Sequence, residues 1–179
     1  MPLKYDVIII GAGPAGIFTA LEIAKENKGI KVLILDKGRE ISKRTCPART
    51  TNKCVNCKPC GITSGWSGAG AFSDGKLSLS HEVGGNITDY MSEEEAQSLI
   101  DYADEIYGAQ KEIHGLNEKR IEEIKYEASK YNIRLIPCPI RHLGTEKAFD
   151  VLGGMYDYLM KQRNITFMEL TDAQNIFVE

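Results

Sequence analysis

Two groups of residues in this chain have types and spacing that could do chemistry. The first is Gly11-Ala12-Gly13-Pro14-Ala15-Gly16, a G-x-G-x-x-G arrangement. Each glycine in such a turn answers a physical demand: Gly11 permits a tight turn, Gly13 lets the backbone approach a pyrophosphate without a Cβ in the way, and Gly16 lets the following helix pack on the strand. A helix opening there presents free N–H groups and a partial positive charge to phosphates. Asp36 follows Gly16 by twenty residues, where an acid is placed to accept hydrogen bonds from the ribose hydroxyls of an adenosine. An acid there repels a 2′-phosphate, which disfavours a site specific for the phosphorylated dinucleotide.

The second group is Cys46, Cys54, Cys57 and Cys60, four of the chain's five cysteines. Cys54-x2-Cys57-x2-Cys60 with Cys46 upstream could gather thiolates on an iron–sulfur cluster or zinc, because short loops bring ligands together with little closure entropy. Against this, zinc sites commonly separate their pairs by more residues, and a fourth Cys-Pro downstream is absent. The same thiols could be redox-active, activated by Lys53 or Lys58, or simply buried small residues, and spacing leaves the three readings open. His81, His114 and His142 are too scattered for a metal set; His142 is a candidate for substrate or proton handling against an ordinary structural role.

These residues need elements to position them. Val7–Ile10 is a β-branched apolar run that reads as a strand buried on both faces. Pro14 suits a first helical turn, and Ile17, Ala20, Leu21 and Ala24 recur at helical spacing up to a stop at Asn27-Lys28-Gly29. Lys31–Leu35 is a second strand ending at Asp36, completing a βαβ unit of the ~30-residue size such crossovers have. Between Lys37 and Ser80 periodicity disappears, as in functional loops. Ser92 and Glu95 form a capping box for a helix whose Leu99, Ala103 and Ile106 share a face. Asn117 caps another with Ile121, Ile124, Ala128 and Tyr131 aligned. A strand at Ile133–Ile136, a helix from Thr145 to Gln162 with Ala148, Leu152, Met155 and Leu159 inward, and a strand at Ile165–Leu170 complete the pattern.

Composition excludes several classes. The 179 residues are 42% hydrophobic and 26% charged with a net charge of −3, which offers no basic surface for nucleic acid. No apolar run approaches the roughly 18 residues of a membrane span, and no secretory signal opens the chain. A reduced, cytoplasmic compartment and a small-molecule substrate or redox partner are therefore expected, with oligomeric state left open.

The opening Asp6-Val7-Ile8-Ile9-Ile10-Gly11-Ala12-Gly13-Pro14-Ala15-Gly16 resembles the start of FAD-dependent oxidoreductases of the glutathione-reductase-like superfamily. More narrowly, Cys46-Pro47, the Cys54–Cys60 run, the stretch Gly65–Leu77 and His142-Leu143-Gly144-Thr145 are similar to a group of bacterial and archaeal FAD-dependent dehydrogenases. The resemblance covers nearly the whole chain, and Gly65–Leu77 is its most specific part. It implies FAD as cofactor, with Gly11, Ala12, Gly13, Pro14, Ala15 and Gly16 at the pyrophosphate turn. It puts Asp36 and Lys37 at the adenosine ribose, and Gly68, Ala69, Gly70 and Ser73 in a loop approaching the pyrophosphate, ribityl chain or flavin. Small residues there permit close backbone approach. An exposed Asp74–Lys76 ion pair is the simpler reading of those two charges beside a role at the flavin.

The expected fold is α/β, a Rossmann-like FAD/NAD(P)-binding parallel sheet with a helical insertion. Residues 1–80 would form the N-terminal FAD-binding part, with the cysteine- and glycine-rich loop at 37–80. Residues 81–143 would be the mainly helical insertion, and 144–179 the return to the nucleotide-binding domain. Members of the superfamily run on well past this length, and Asn175–Glu179 reads as part of a β segment, so an N-terminal fragment with an incomplete FAD site is expected. The function implied is the FAD-binding portion of a flavin-dependent oxidoreductase whose substrate and catalytic residues are not visible. Two alternatives stand beside it: an NAD-binding dehydrogenase domain, and a non-catalytic, metal-stabilised interaction domain.

Overall fold

The computed structural model describes residues 4–26, 29–108 and 112–178. The expected helix stop at Asn27 and Lys28 therefore lies outside the described residues. The element order is β1 (Val7–Ile10), α1 (Pro14–Glu26), β2 (Val32–Leu35), α2 (Ala48–Thr51), β3 (Lys76–Ser78), α3 (Glu93–Gly108), β4 (Ile113–His114), α4 (Glu118–Ser129), β5 (Ile140–His142), α5 (Thr145–Met160) and β6 (Ile165–Met168). The chain divides into two units, one of Met1–Ser73 with Phe149–Glu179 and one of Asp74–Ala148. Among the described residues no helix is long and apolar enough to cross a membrane.

The first unit is built on a parallel sheet in the order β1-β2-β6, with Val7 opposite Val32 and Val32 opposite Ile165. β2 lies between two neighbours, and its Val32, Leu33 and Ile34 are all buried, as a continuous apolar run demands. α1 turns Ile17, Ala20 and Ala24 inward. β1 departs from expectation. Ile9 is buried on the side facing Gly16, whereas Ile8 and Ile10 are each 56% exposed. β1 is an edge strand with one covered face, not a strand buried on both.

Trp66, from the irregular segment, is the largest fully buried side chain. Its ring meets Tyr156 of α5 edge-on at 5.0 Å and Phe167 of β6 at 5.5 Å, and its indole N–H donates to the Leu152 carbonyl at 3.0 Å. A buried indole needs that acceptor. Leu152, Met155 and Leu159 are buried as α5's spacing predicts.

The second unit holds an antiparallel sheet in the order β3-β5-β4. Buried Arg141 of β5 makes a bidentate pair with Asp104 of α3 at 2.5 and 2.6 Å. The capping box forms as its sequence indicates: Ser92 Oγ accepts from the Glu95 N–H and Glu95 Oε2 accepts from the Ser92 N–H. Asn117 accepts from the Arg120 N–H to start α4. One expectation fails here, and the aligned faces of α3 and α4 prove largely uncovered. Residues 133–136 form no strand, the strand being β5, and on α3 Ala96 is buried while Leu99 is 52% exposed. α4 buries none of its residues; Ile124 is exposed, and exposed Tyr131 lies past the helix end. α4 instead carries exposed ion pairs of i,i+3 spacing, Arg120–Glu123 and Lys125–Glu122.

Candidate functional site

The three glycines of the turn differ in what surrounds them. Gly11 has φ +100°, a conformation few other residues adopt, and its N–H donates to the Leu35 carbonyl at 2.7 Å. A Cβ on Gly16 would stand 2.1 Å from the Gly11 carbonyl oxygen and 3.0 Å from Ile9 Cγ2, so only glycine permits the close approach of α1 to β1. A Cβ on Gly13 would meet nothing within 4 Å. The side of the turn where a ligand backbone would approach is thus open. The Ile17 N–H bonds to the Gly13 carbonyl, and the N–H groups of α1's first turn ahead of it have no partner within the helix.

Asp36 closes this arrangement from the end of β2. Its Oδ2 accepts from the Ala12 N–H at 2.8 Å, and its Oδ1 accepts from the N–H groups of Gly38 at 2.7 Å and Gly65 at 2.8 Å. The Ser67 N–H donates in turn to the Ala12 carbonyl at 2.6 Å. The peptide units flanking Ala12 are therefore held by Asp36 on one side and by the loop on the other. Two stretches far apart in sequence, Gly11–Gly16 and Gly65–Ser73, meet at this point. Asp36 acts first as an organiser of backbone, where sequence spacing assigned it to ribose; one lone pair on Oδ2 remains for a ligand hydroxyl. Lys37 is exposed. Gly68–Phe72 forms a short 3-10 helix, Ala69 is exposed, and the Ser73 hydroxyl donates to the Gly70 carbonyl at 2.9 Å.

Arg44, which no motif marks, is the other organiser. Its guanidinium donates to the carbonyls of Gly61 at 3.0 and 3.2 Å, Ile62 at 2.6 Å, Trp66 at 2.5 Å and Gly68 at 2.7 Å. Burial lowers its pKa, and the carboxylate of Asp36 opposes that shift. Phe72 lies 4.9 Å from the Arg44 guanidinium and 4.8 Å from that of Arg49, across its ring. Nearby, Glu169 accepts from the Glu40 N–H at 2.9 Å and from Lys43 Nζ at 2.7 Å, tying the start of the loop to the residue after β6.

The four clustered cysteines are not gathered. Among the described residues no group of three or more His, Cys, Asp or Glu side chains is placed to hold a metal ion, so Cys46, Cys54, Cys57 and Cys60 are without support as ligands of zinc or an iron–sulfur cluster. Cys54, Cys57 and Cys60 are also exposed, which sets aside the reading of them as buried structural residues. Cys54 Sγ faces Asn56 Oδ1 at 3.6 Å. The N–H groups of Thr63 and Ile62 and the Thr63 hydroxyl, with the charge of Arg44, hold the Cys60 thiol below its ordinary pKa. Asp74 and Lys76 form the exposed ion pair expected of them, at 2.8 Å, and exposed His142 stands opposite Lys76 in the sheet.

Comparison with known proteins agrees with the turn. Residues 6–53 match the family model described as DAO, FAD dependent oxidoreductase. Over 97 residues the chain is 37% identical to a digeranylgeranylglycerophospholipid reductase of Methanosarcina mazei, a match covering 50% of this chain and 23% of that protein. An uncharacterized protein of Clostridium beijerinckii is 39% identical over 79 residues, 42% of this chain and 14% of that one. The L-amino acid deaminase from Proteus vulgaris superposes with a TM-score of 0.45 at 13% identity, over 100% of this chain and 43% of that one. The chain spans less than a quarter of the length of the curated relatives it matches. By class, the part built around the glycine turn is similar to FAD-dependent oxidoreductases over residues 6–53. That similarity points to FAD and leaves the substrate undefined.

Proposed function

We propose that this chain supplies the ADP-binding side of an FAD site within a longer flavoprotein of the glutathione-reductase-like, two-dinucleotide-binding kind. The observation that carries the reading is the knot of Asp36, Ala12 and Ser67 beside the open side of Gly13. It fixes the backbone of the turn while leaving room for a pyrophosphate. Gly11, Ala12, Gly13, Pro14, Ala15 and Gly16 would hold the pyrophosphate, with the N-terminus of α1 contributing its N–H groups and partial charge. Asp36 and Lys37 would lie toward the ribose, and Gly68, Ala69, Gly70 and Ser73 along the approach to the rest of the cofactor. When bound, FAD supplies the ring that accepts and donates hydride or electrons. This chain's residues bind and orient it, and the reductase name of the archaeal relative suits the same two-electron chemistry on a small-molecule substrate. The five free cysteines fit a reducing, cytoplasmic setting.

The test is the visible absorption spectrum of the purified chain incubated with FAD and freed of excess, repeated after acid release and paired with metal analysis. A two-banded flavin spectrum is expected. Binding of NAD but not FAD would replace this reading with a nicotinamide-dinucleotide domain; stoichiometric zinc without nucleotide would replace it with a metal-stabilised interaction domain.

A further inference from the structure

Cys57 and Cys60 line one cavity of about 370 Å³ together with Arg39, Lys43, Arg44 and Lys58. No Asp or Glu is among the described residues lining it. The four cations are not equivalent. Arg44 is committed to four backbone carbonyls, and Lys43 is paired with Glu169 and, at 3.7 Å, with Glu40. Arg39 and Lys58 make no ion pair or side-chain hydrogen bond among the described residues. The cavity therefore joins two exposed thiols to two positive charges outside any ion pair, Arg39 acting on Glu169 only through its longer-range charge. Cys54 and Cys46, the other members of the cluster, do not line it.

Small anions suit such a wall, and thiols in a Cys-x-x-Cys spacing suit exchange with a disulfide. We propose that this cavity is a thiol–disulfide exchange site for small disulfides bearing carboxylates, with Cys60 as the attacking thiolate and Cys57 as the resolving one. Cys60 suits that role, its thiol being held below its ordinary pKa chiefly by the backbone N–H groups of Thr63 and Ile62. In the first step Cys60 Sγ attacks one sulfur of the substrate disulfide. That S–S bond breaks, a Cys60–substrate mixed disulfide forms, and the first substrate thiolate leaves to take a proton from water. In the second step the Cys57 thiolate attacks Cys60 Sγ, the second substrate thiolate leaves, and a Cys57–Cys60 disulfide remains. The dithiol loses two electrons and the substrate disulfide gains them. The carboxylates of the substrate would lie against Arg39 and Lys58. The site goes beyond the FAD reading and needs no nucleotide.

The experiment uses the reduced full chain and two probes at neutral pH, 5,5′-dithiobis(2-nitrobenzoate), which is dianionic, and cystamine, which is dicationic. The dianion should react in a fast phase that ends in a Cys57–Cys60 disulfide identified by peptide mass; with each probe's rate divided by its rate on 2-mercaptoethanol, which removes the difference in leaving thiol, the ratio should favour the dianion roughly tenfold, as focused charge allows. Added salt, and Arg39→Gln with Lys58→Gln, should narrow that preference. Cys60→Ser should slow the fast phase by about tenfold or more, because the activated thiolate is gone. Cys57→Ser should stop the reaction at a mixed disulfide on Cys60, and Cys54→Ser should leave the fast phase unchanged. Circular dichroism separates these effects from unfolding. A fast phase that survives Cys60→Ser, first labelling at Cys54 or Cys46, or a normalised rate that favours the dication would overturn the proposal.

Discussion

The glycine turn and the 61–68 loop are both irregular backbone pinned by one charged side chain, yet they are pinned in opposite senses. Asp36 accepts N–H groups from Ala12, Gly38 and Gly65, while Arg44 donates to the carbonyls of Gly61, Ile62, Trp66 and Gly68. Around Asp36 one side of the turn stays open, as the empty space beyond Gly13 shows. Around Arg44 nothing is left over, because the guanidinium is buried and its donors are engaged by the loop. The first hub stiffens backbone that keeps one side open, and the second stiffens backbone that is closed in by its own loop. The two hubs also reinforce each other electrostatically.

The largest effect should come from the closed hub. Arg44→Ala would leave four inward carbonyls without donors, at a cost of about 3–5 kcal/mol by the usual penalty for unsatisfied buried groups. Arg44→Lys should recover only part of it, since an ammonium cannot reproduce a planar fork of donors. Urea unfolding midpoints would measure both. A loss under ~1 kcal/mol for Arg44→Ala, within the range of ordinary surface changes, would dissolve the distinction between closed and open regions.

Within the turn, Gly13 and Gly16, three positions apart, should answer differently to a side chain. Gly16→Val drives a Cβ into the Gly11 carbonyl oxygen, so it should destabilise the fold by roughly 1–3 kcal/mol and lose FAD with it. Gly13→Leu points into open space, and the φ of Gly13 lies outside the left-handed region. It should change stability by less than ~0.5 kcal/mol while removing FAD binding at concentrations that saturate the unaltered chain. Equal destabilisation by both, read from unfolding and FAD titration side by side, would show that the turn's open side is structural.

The turn was legible because its determinants are local. Gly11, Gly13 and Gly16 sit within six residues, and each role follows from a strand running into a helix. Asp36 stood out in the sequence as the acid ending β2 but not as a clamp, since its partners Gly38 and Gly65 belong to a segment without periodicity. Arg44 was invisible for the same reason: its acceptors are carbonyls, which every residue carries, so no complementary side chain marks the pairing. Trp66 lies within the Gly65–Leu77 stretch, yet its packing on Tyr156 and Phe167 depends on elements that follow it only much later in the sequence. The helices α3 and α4 form, but apolar spacing states which residues align, not whether anything covers them. Ile8 and Ile10 misled, an apolar run being compatible with an edge strand as well as a central one.

The smallest expected effect sharpens the comparison by adding a pin that titrates. Glu169 is held below its ordinary pKa of 4.5, first by the hydrogen bond from Lys43 and then by the Glu40 N–H. A depressed carboxyl contributes stability that is present above its unfolded pKa and is lost as pH falls through the folded one. Lys43 is raised above 10.5, chiefly by the same hydrogen bond, so its contribution is full below that value and lost as pH rises through the folded pKa. Glu169→Gln should therefore lower stability by a constant small amount between these limits, and the difference from the unaltered chain should shrink toward acid below 4.5 and toward alkali above 10.5. Salt should shrink it as well, because the Lys43 end of the pair is exposed. The Arg44 hub should behave otherwise: a guanidinium stays charged throughout that range, so the cost of Arg44→Ala should persist where the Glu169 difference has gone. Thermal unfolding of both variants across pH would separate a buried pin that sets the loop from an exposed one that trims it.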